Sequence, residues 1–101
     1  MAEENQKINK EELSTLMFIQ YISALANSGM QHLGKIMNPA TGKMEKNLEG
    51  AEATIELISM LKEKTKNNLN ANEESVISDA LANLQLNYAD EVNREEKGSK
   101  K

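Results

Sequence analysis

Apolar residues recur at steps of three and four through three stretches of the chain, and no stretch alternates apolar and polar long enough to predict a strand. That is the helical period of about 3.6 residues. In the first stretch Phe18, Ile22, Leu25, Gly29 and Leu33 form one row. Leu13, Met17 and Ala24 lie beside it, and Leu16 and Ile19 widen it. So wide a stripe predicts contact with more than one neighbour. Asn9 with Glu12 predicts a capping box at the start of this helix, in which each residue satisfies the other's backbone N–H. Gly34 predicts its end, because a glycine accepts the left-handed turn that closes a helix.

The second stretch carries Leu48, Ala51, Ile55, Ile58, Leu61 and Thr65, close to a heptad seam, with Leu57 and Met60 to one side. Asn47 predicts its cap and Asn67 with Asn68 its end. Glu49, Glu52 and Glu56 lie toward its start, and Lys62, Lys64 and Lys66 at its end, the order that the helix dipole favours. In the third stretch Val76, Ile77, Ala80, Leu81, Leu84 and Tyr88 form the buried row, reaching toward Val92. Asn70 and Glu73 predict a second capping box at its start.

Between the first two helices, Lys35 to Lys46 is long for a connection within a bundle. Its centre, Asn38-Pro39-Ala40-Thr41-Gly42, predicts a turn, and Ile36, Met37 and Met44 are expected to fold back onto the helices. The connection between the second and third helices is a few residues around Asn67 to Asn70, with Leu69 closing the end; so short a link forces an antiparallel hairpin. The expected fold is all-α: a long first helix plus an antiparallel helical hairpin, packed into a homo-oligomeric bundle. The expected organisation is a disordered tail over 1–8, a helical domain over 9–92 and a disordered charged tail over 93–101.

Composition narrows the function. The chain has 101 residues, no Cys, one His, three aromatic residues (Phe18, Tyr21 and Tyr88) and a net charge of -4 with both signs interspersed. Disulfide scaffolds, thiolate metal sites and Cys nucleophiles are excluded. One imidazole cannot form a multi-His metal site within a chain. Without a basic stripe or a stacking platform, nucleic acid is not an expected partner. The polar, acidic start lacks the basic and apolar regions of a secretory signal, and the missing Cys fits a cytoplasmic setting. Leu13 to Gly34 carries no formal charge with His32 neutral, long enough to span a bilayer, but it holds eight polar residues, which favours burial in protein over a membrane span.

No catalytic constellation emerges. His32, near the end of the first helix, reads as a helix-end residue rather than a base or ligand. The acidic pairs Glu11/Glu12, Glu73/Glu74, Asp90/Glu91 and Glu95/Glu96 read as caps and solvated faces. The Glu-x-x-His motif of carboxylate-bridged bundles is absent, since Gly29 stands three residues before His32. The methionines read as core filler before they read as an adaptable binding surface. Neither an enzyme nor a cofactor or metal site is expected.

The residues Leu33-Gly34, Pro39, Thr41-Gly42, Asn47-Leu48-Glu49, Ala51, Ile55, Leu57, Met60-Leu61, Glu63-Lys64-Thr65, Asn68-Leu69 and Glu73-Glu74 together make the chain resemble a family of short bacterial proteins, domain of unknown function 1844. The resemblance runs from about Phe18 to Tyr88. Ala71 stands where that family commonly has Pro, and Lys43 where an acid is expected. The resemblance implies a small bacterial helical protein, and no activity or cofactor.

The expected function is protein–protein interaction, as an adaptor, accessory or oligomeric structural protein. Gly29, costly inside a helix by about 0.5–1 kcal/mol, calls for a compensating close approach. Two readings stand: packing against a second copy of the first helix, or against the chain's own second helix. A homo-oligomer, first of all a dimer, is expected, with Phe18, Ile22, Leu25, Gly29 and Leu33 as its contact surface and Pro39, Thr41 and Gly42 as a contact loop. The alternative is a bundle that binds a small ligand, a lipid or a membrane surface through the same apolar helix.

Overall fold

The computed structural model describes residues 9–99. The tail expected over 1–8, and Lys100 and Lys101, lie outside the described residues. Three helices form: α1 (Lys10–His32), α2 (Leu48–Lys64) and α3 (Ala71–Ser99). Every pair of them is in contact.

The caps hold the helices where the chain's punctuation puts them. Asn9 Oδ1 accepts from the Glu12 N–H at 2.7 Å and Glu12 returns the bond to the Asn9 N–H at 3.2 Å. Asn70 and Glu73 make the same reciprocal pair at 2.8 and 2.9 Å. Asn47 caps α2 by accepting from the Gly50 N–H at 3.1 Å. At the end of α1 the Gly34 N–H donates to Gln31 O at 3.0 Å and the Lys35 N–H to Met30 O at 2.9 Å. That is the Schellman arrangement, and Gly34 takes the positive φ of 75° that it needs. α2 stops at Lys64, slightly earlier than expected, as the Thr65 hydroxyl turns back onto Leu61 O at 2.7 Å. Asn67 then supplies the left-handed residue, φ 70°.

The topology is up-down-up. Along α1 and α2 the contacts run in opposite directions: a Cβ added at Gly29 would meet Thr54, while one added at Gly50, earlier in α2, would meet His32, later in α1. α1 and α3 begin at the same end, where Asn70 Nδ2 donates to Thr15 Oγ1 at 2.9 Å. The Tyr88 hydroxyl donates to Glu52 at 3.4 Å, late α3 against early α2. Ile22, Leu33, Ala51, Ile58, Ile77 and Leu84 are buried between the helices, with Phe18, Leu25, Met30, Ile55, Leu69 and Tyr88 half-buried around them. The radius of gyration is 17.0 Å, against about 13 Å for a compact chain of this length, so the bundle is elongated and its core shallow.

Two expectations are corrected. The segment from residue 93 to Ser99 is helical, the last two turns of α3, and not a disordered tail. Glu95 pairs with Lys46 of the connector at 3.4 Å, which ties the base of this segment to the body of the protein, while Arg94 pairs with Asp90 and Glu91 within α3. The connector from Lys35 to Lys46 is a small hairpin with two isolated antiparallel bridges, Leu33 to Lys46 and Asn38 to Lys43. Met37 and Met44 do not fold back onto the helices but stand largely in solvent on that hairpin, while Ile36 keeps 36% of its surface exposed. The register of the hairpin is set by the Asn38 N–H donating to Lys43 O at 2.8 Å.

Candidate functional site

α1 has two faces with different fates. Its inner face is the row that was expected to meet another chain. Ile22, Gly29 and Leu33 are buried, and Phe18 and Leu25 are packed half-buried against the same core. Gly29 settles the choice between the two readings of its close approach. A Cβ there would lie 2.7 Å from Leu84 Cδ2 and 3.2 Å from Thr54 Cγ2, so α2 and α3 of the same chain occupy the space. The expectation that this row contacts a second copy is therefore corrected for the buried Ile22, Gly29 and Leu33, which lie in the core that α1 forms with α2 and α3 of the same chain. The contact-loop residues Pro39, Thr41 and Gly42 are exposed at the hairpin tip. The Thr41 and Gly42 N–H groups both donate to Asn38 O, at 3.2 and 2.7 Å, which makes the tip a formed turn.

The outer face of α1 is the surface left over. Leu13, Met17, Gln20, Ala24 and Asn27 are all exposed and step by four and three along it. Leu16 and Tyr21 flank this seam. Leu13, Leu16, Met17 and Tyr21 keep between 44% and 59% of their surface in solvent. From Leu13 to His32 no Asp, Glu, Lys or Arg interrupts the helix. In a chain with 28% charged residues that is an unusual length of uncharged surface. The register fixed by Gly29 over Thr54 and His32 over Gly50 carries Leu57 and Met60 of α2 to the level of α1 residues 22–26. Leu57 lies one heptad after Gly50 and so on the edge of α2 that borders α1; Leu57 and Met60 are both exposed.

At the other end of the molecule the chemistry is ionic. Glu91 is 5% exposed and its two carboxylate oxygens accept from Lys35 Nζ at 2.7 Å and Lys46 Nζ at 2.8 Å. Asp90 and Glu95 add longer contacts to the same lysines, at 3.3 and 3.4 Å. The hydrogen bonds from Lys35 and Lys46 outweigh the burial of Glu91 and hold its pKa down to about 2. Both lysines are raised by the same bonds to Glu91, against the desolvation that lowers them. The two lysines stand at the two ends of the hairpin, so one carboxylate from α3 pins both of its legs. The reading of Asp90/Glu91 as a solvated pair is corrected for Glu91. Its position held the signal: it follows Ile77 and Leu84 at steps of seven, on the buried face of α3.

The remaining candidates are structural. The His32 ring lies over Gly50, whose added Cβ would come within 2.9 Å of its Nδ1, and its backbone carbonyl accepts from the Asn47 N–H at 2.6 Å. The buried Glu73 is the partner of the α3 cap. A polar cleft of about 470 Å³ between the starts of α1 and α3 is lined by Asn9, Glu11, Glu12, Thr15, Asn70 and Asn72, with Glu12 engaged in the α1 cap and the Thr15 hydroxyl accepting from Asn70. Among the described residues no group of His, Asp and Glu is arranged to hold a metal ion, and no helix is long and apolar enough to cross a membrane. Met30 packs against the core, whereas Met17, Met37, Met44 and Met60 are exposed, so most of the methionines are surface rather than filler.

No curated protein and no solved structure matches the chain. One family model does, over residues 15–90, which takes in most of α1, the hairpin, all of α2 and the packed part of α3. The chain thus belongs to the family described as domain of unknown function DUF1844.

Proposed function

We propose that this protein acts by binding protein, through the outer face of α1 and the bordering edge of α2, and that it performs no reaction of its own. The observation that carries the reading is the uncharged apolar seam at Leu13, Met17, Gln20 and Ala24, with Leu16 and Tyr21 beside it. Scattered exposed apolar residues are ordinary, but a contiguous patch on a small protein marks a surface that is covered in use. Aromatic residues and methionine are also the types enriched where proteins meet. Membrane or lipid binding through the same face is the weaker reading, because an interfacial helix normally carries Lys and Arg on its flanks, and this chain is acidic overall. The absence of Cys fits action in the cytoplasm.

A photo-crosslinking residue placed at Tyr21, and separately at Leu86 on α3, tests the reading in the native host. Protein adducts from position 21 and not from 86 are expected. Equal labelling from both positions, or partner-free binding of the purified chain to lipid vesicles, would overturn it.

A further inference from the structure

The reading above leaves the occupant of the α1 face open. Resting on it, we propose that the occupant is a second copy of this chain, with the two α1 helices packed antiparallel about a two-fold axis near Gln20.

Charge points to a copy of itself. Two identical acidic chains repel unless they meet on surface without charge. The exposed positions of α2 mix Glu49, Glu52, Glu56 and Glu63 with Lys64, and those of α3 mix Glu74, Asp79 and Asp90 with Arg94 and Lys97, so a twin packed on either would have to match charge with charge and desolvate it. The α1 seam presents no charge from Leu13 to Asn27.

Shape and charge together set the direction. The first half of the seam is bulky (Leu13, Leu16 and Met17) and the second half is small (Ser23 and Ala24). With the axis at Gln20, position 17 lies opposite 23 and 24 of the partner, and 16 opposite 24, so large side chains meet small ones. A parallel pair would set large against large and leave a gap at the small end, which close packing disfavours. A parallel pair would also bring Glu11 and Glu12 against their own copies. Antiparallel packing separates the two Glu12 residues by about 24 Å along the helices, at 1.5 Å per residue, well beyond a Debye length of about 8 Å. At the axis the two Gln20 amides are self-complementary, each holding donors and an acceptor.

Area supports association of modest strength. The isolated chain exposes 7372 Å², whereas a monomeric protein of its mass exposes about 5,700 Å². A standard interface covers about 800 Å² per partner. A seam about 21 Å long, widened by Leu57 and Met60, lies at or below the lower end of that range, so a micromolar dimer is expected rather than a nanomolar one.

Sedimentation equilibrium of the full chain across micromolar to millimolar concentration tests this. The mass is expected to rise from 11.2 kDa toward twice that value. Met17→Glu should weaken the dimer at least tenfold without changing the melting temperature of the monomer. Adding Ala24→Lys to the same chain should restore it to within a few-fold, because in the antiparallel pair position 17 lies beside position 24 of the partner. A wild-type chain that stays monomeric throughout overturns the proposal, as does a dimer that Met17→Glu leaves intact or that Ala24→Lys fails to rescue. A cross-linker at Gln20 separates this failure from that of the broader reading. Adducts with a different protein would remove the second copy and keep the binding face; no adduct at all would remove both.

Discussion

α1 and α3 begin side by side, run in the same direction and open with the same device, an Asn cap answered by Glu three residues on. Their solvent faces nevertheless differ. α3 shows one large apolar side chain to water, Leu86, among Glu74, Asp79, Asn83, Gln85 and Asp90. α1 shows four, Leu13, Leu16, Met17 and Tyr21, without a charge among them. Helix formation and core packing demand neither pattern, since both helices are already satisfied on their inner faces. The difference is therefore one of outer surface alone: α3 turns charged and polar residues to water, and α1 an uncharged apolar seam, on which the proposed contact rests.

The largest expected effect breaks the inner half of that comparison. Gly29→Leu drives a side chain into Leu84 and Thr54, where even a Cβ is 2.7 Å from the nearest atom. Overpacking of this kind should cost about 3 kcal/mol, measured by urea unfolding. Leu84→Ala in the same chain should recover a good part of the loss by vacating the space. If Gly29→Leu instead keeps full stability and changes only the solution mass, Gly29 belongs to an interface and the inner face has been misassigned.

A smaller effect concerns the ionic end. Glu91→Gln removes the carboxylate charge and leaves one acceptor oxygen for two lysines, which remain able to hydrate, so a loss of about 1–2 kcal/mol is expected. Faster hydrogen exchange in the hairpin, and not in α1, should accompany it. The pH dependence has a definite sign. The folded pKa of Glu91, about 2, lies below its ordinary 4.5, so its contribution is complete above pH 4.5 and disappears as pH falls toward 2. The stability gap between the wild type and Glu91→Gln should therefore close over that window. A gap that is constant from pH 5 to pH 2 would show that the carboxylate is not what pins the hairpin.

Both features explain what was legible in the sequence and what was not. The helices, caps and short hairpin between α2 and α3 follow from local spacing and from side chains that bond their own backbone, so they could be read residue by residue. The role of Gly29 could not, because α2 and α3 approach it from 25 and 55 residues away. The row from Phe18 to Leu33 could be read as a face to be covered, but periodicity marks a face and does not say which neighbour covers it. For Glu91 the heptad step from Leu84 was visible, but its two lysines lie across the fold. The helical end of α3 beyond Val92 escaped for the same reason: its charged residues look like a tail until Lys46 is placed beside Glu95.

The smallest expected effect sharpens the outer half of the comparison. Leu86 is the most exposed large apolar residue among those described, at 71%, more open than any residue of the α1 seam. If exposure alone made a surface sticky, Leu86→Glu would reduce association as much as Met17→Glu does. If a continuous uncharged seam is what matters, Leu86 is an isolated apolar residue on a wet face. Its replacement should then leave the sedimentation profile unchanged and the stability within about 0.5 kcal/mol. The pair of variants carries the same added charge on two parallel helices, so net charge and helix propensity cancel between them. A loss of assembly in both would mean that α3 shares the contact, and a two-fold axis through α1 alone would no longer describe it.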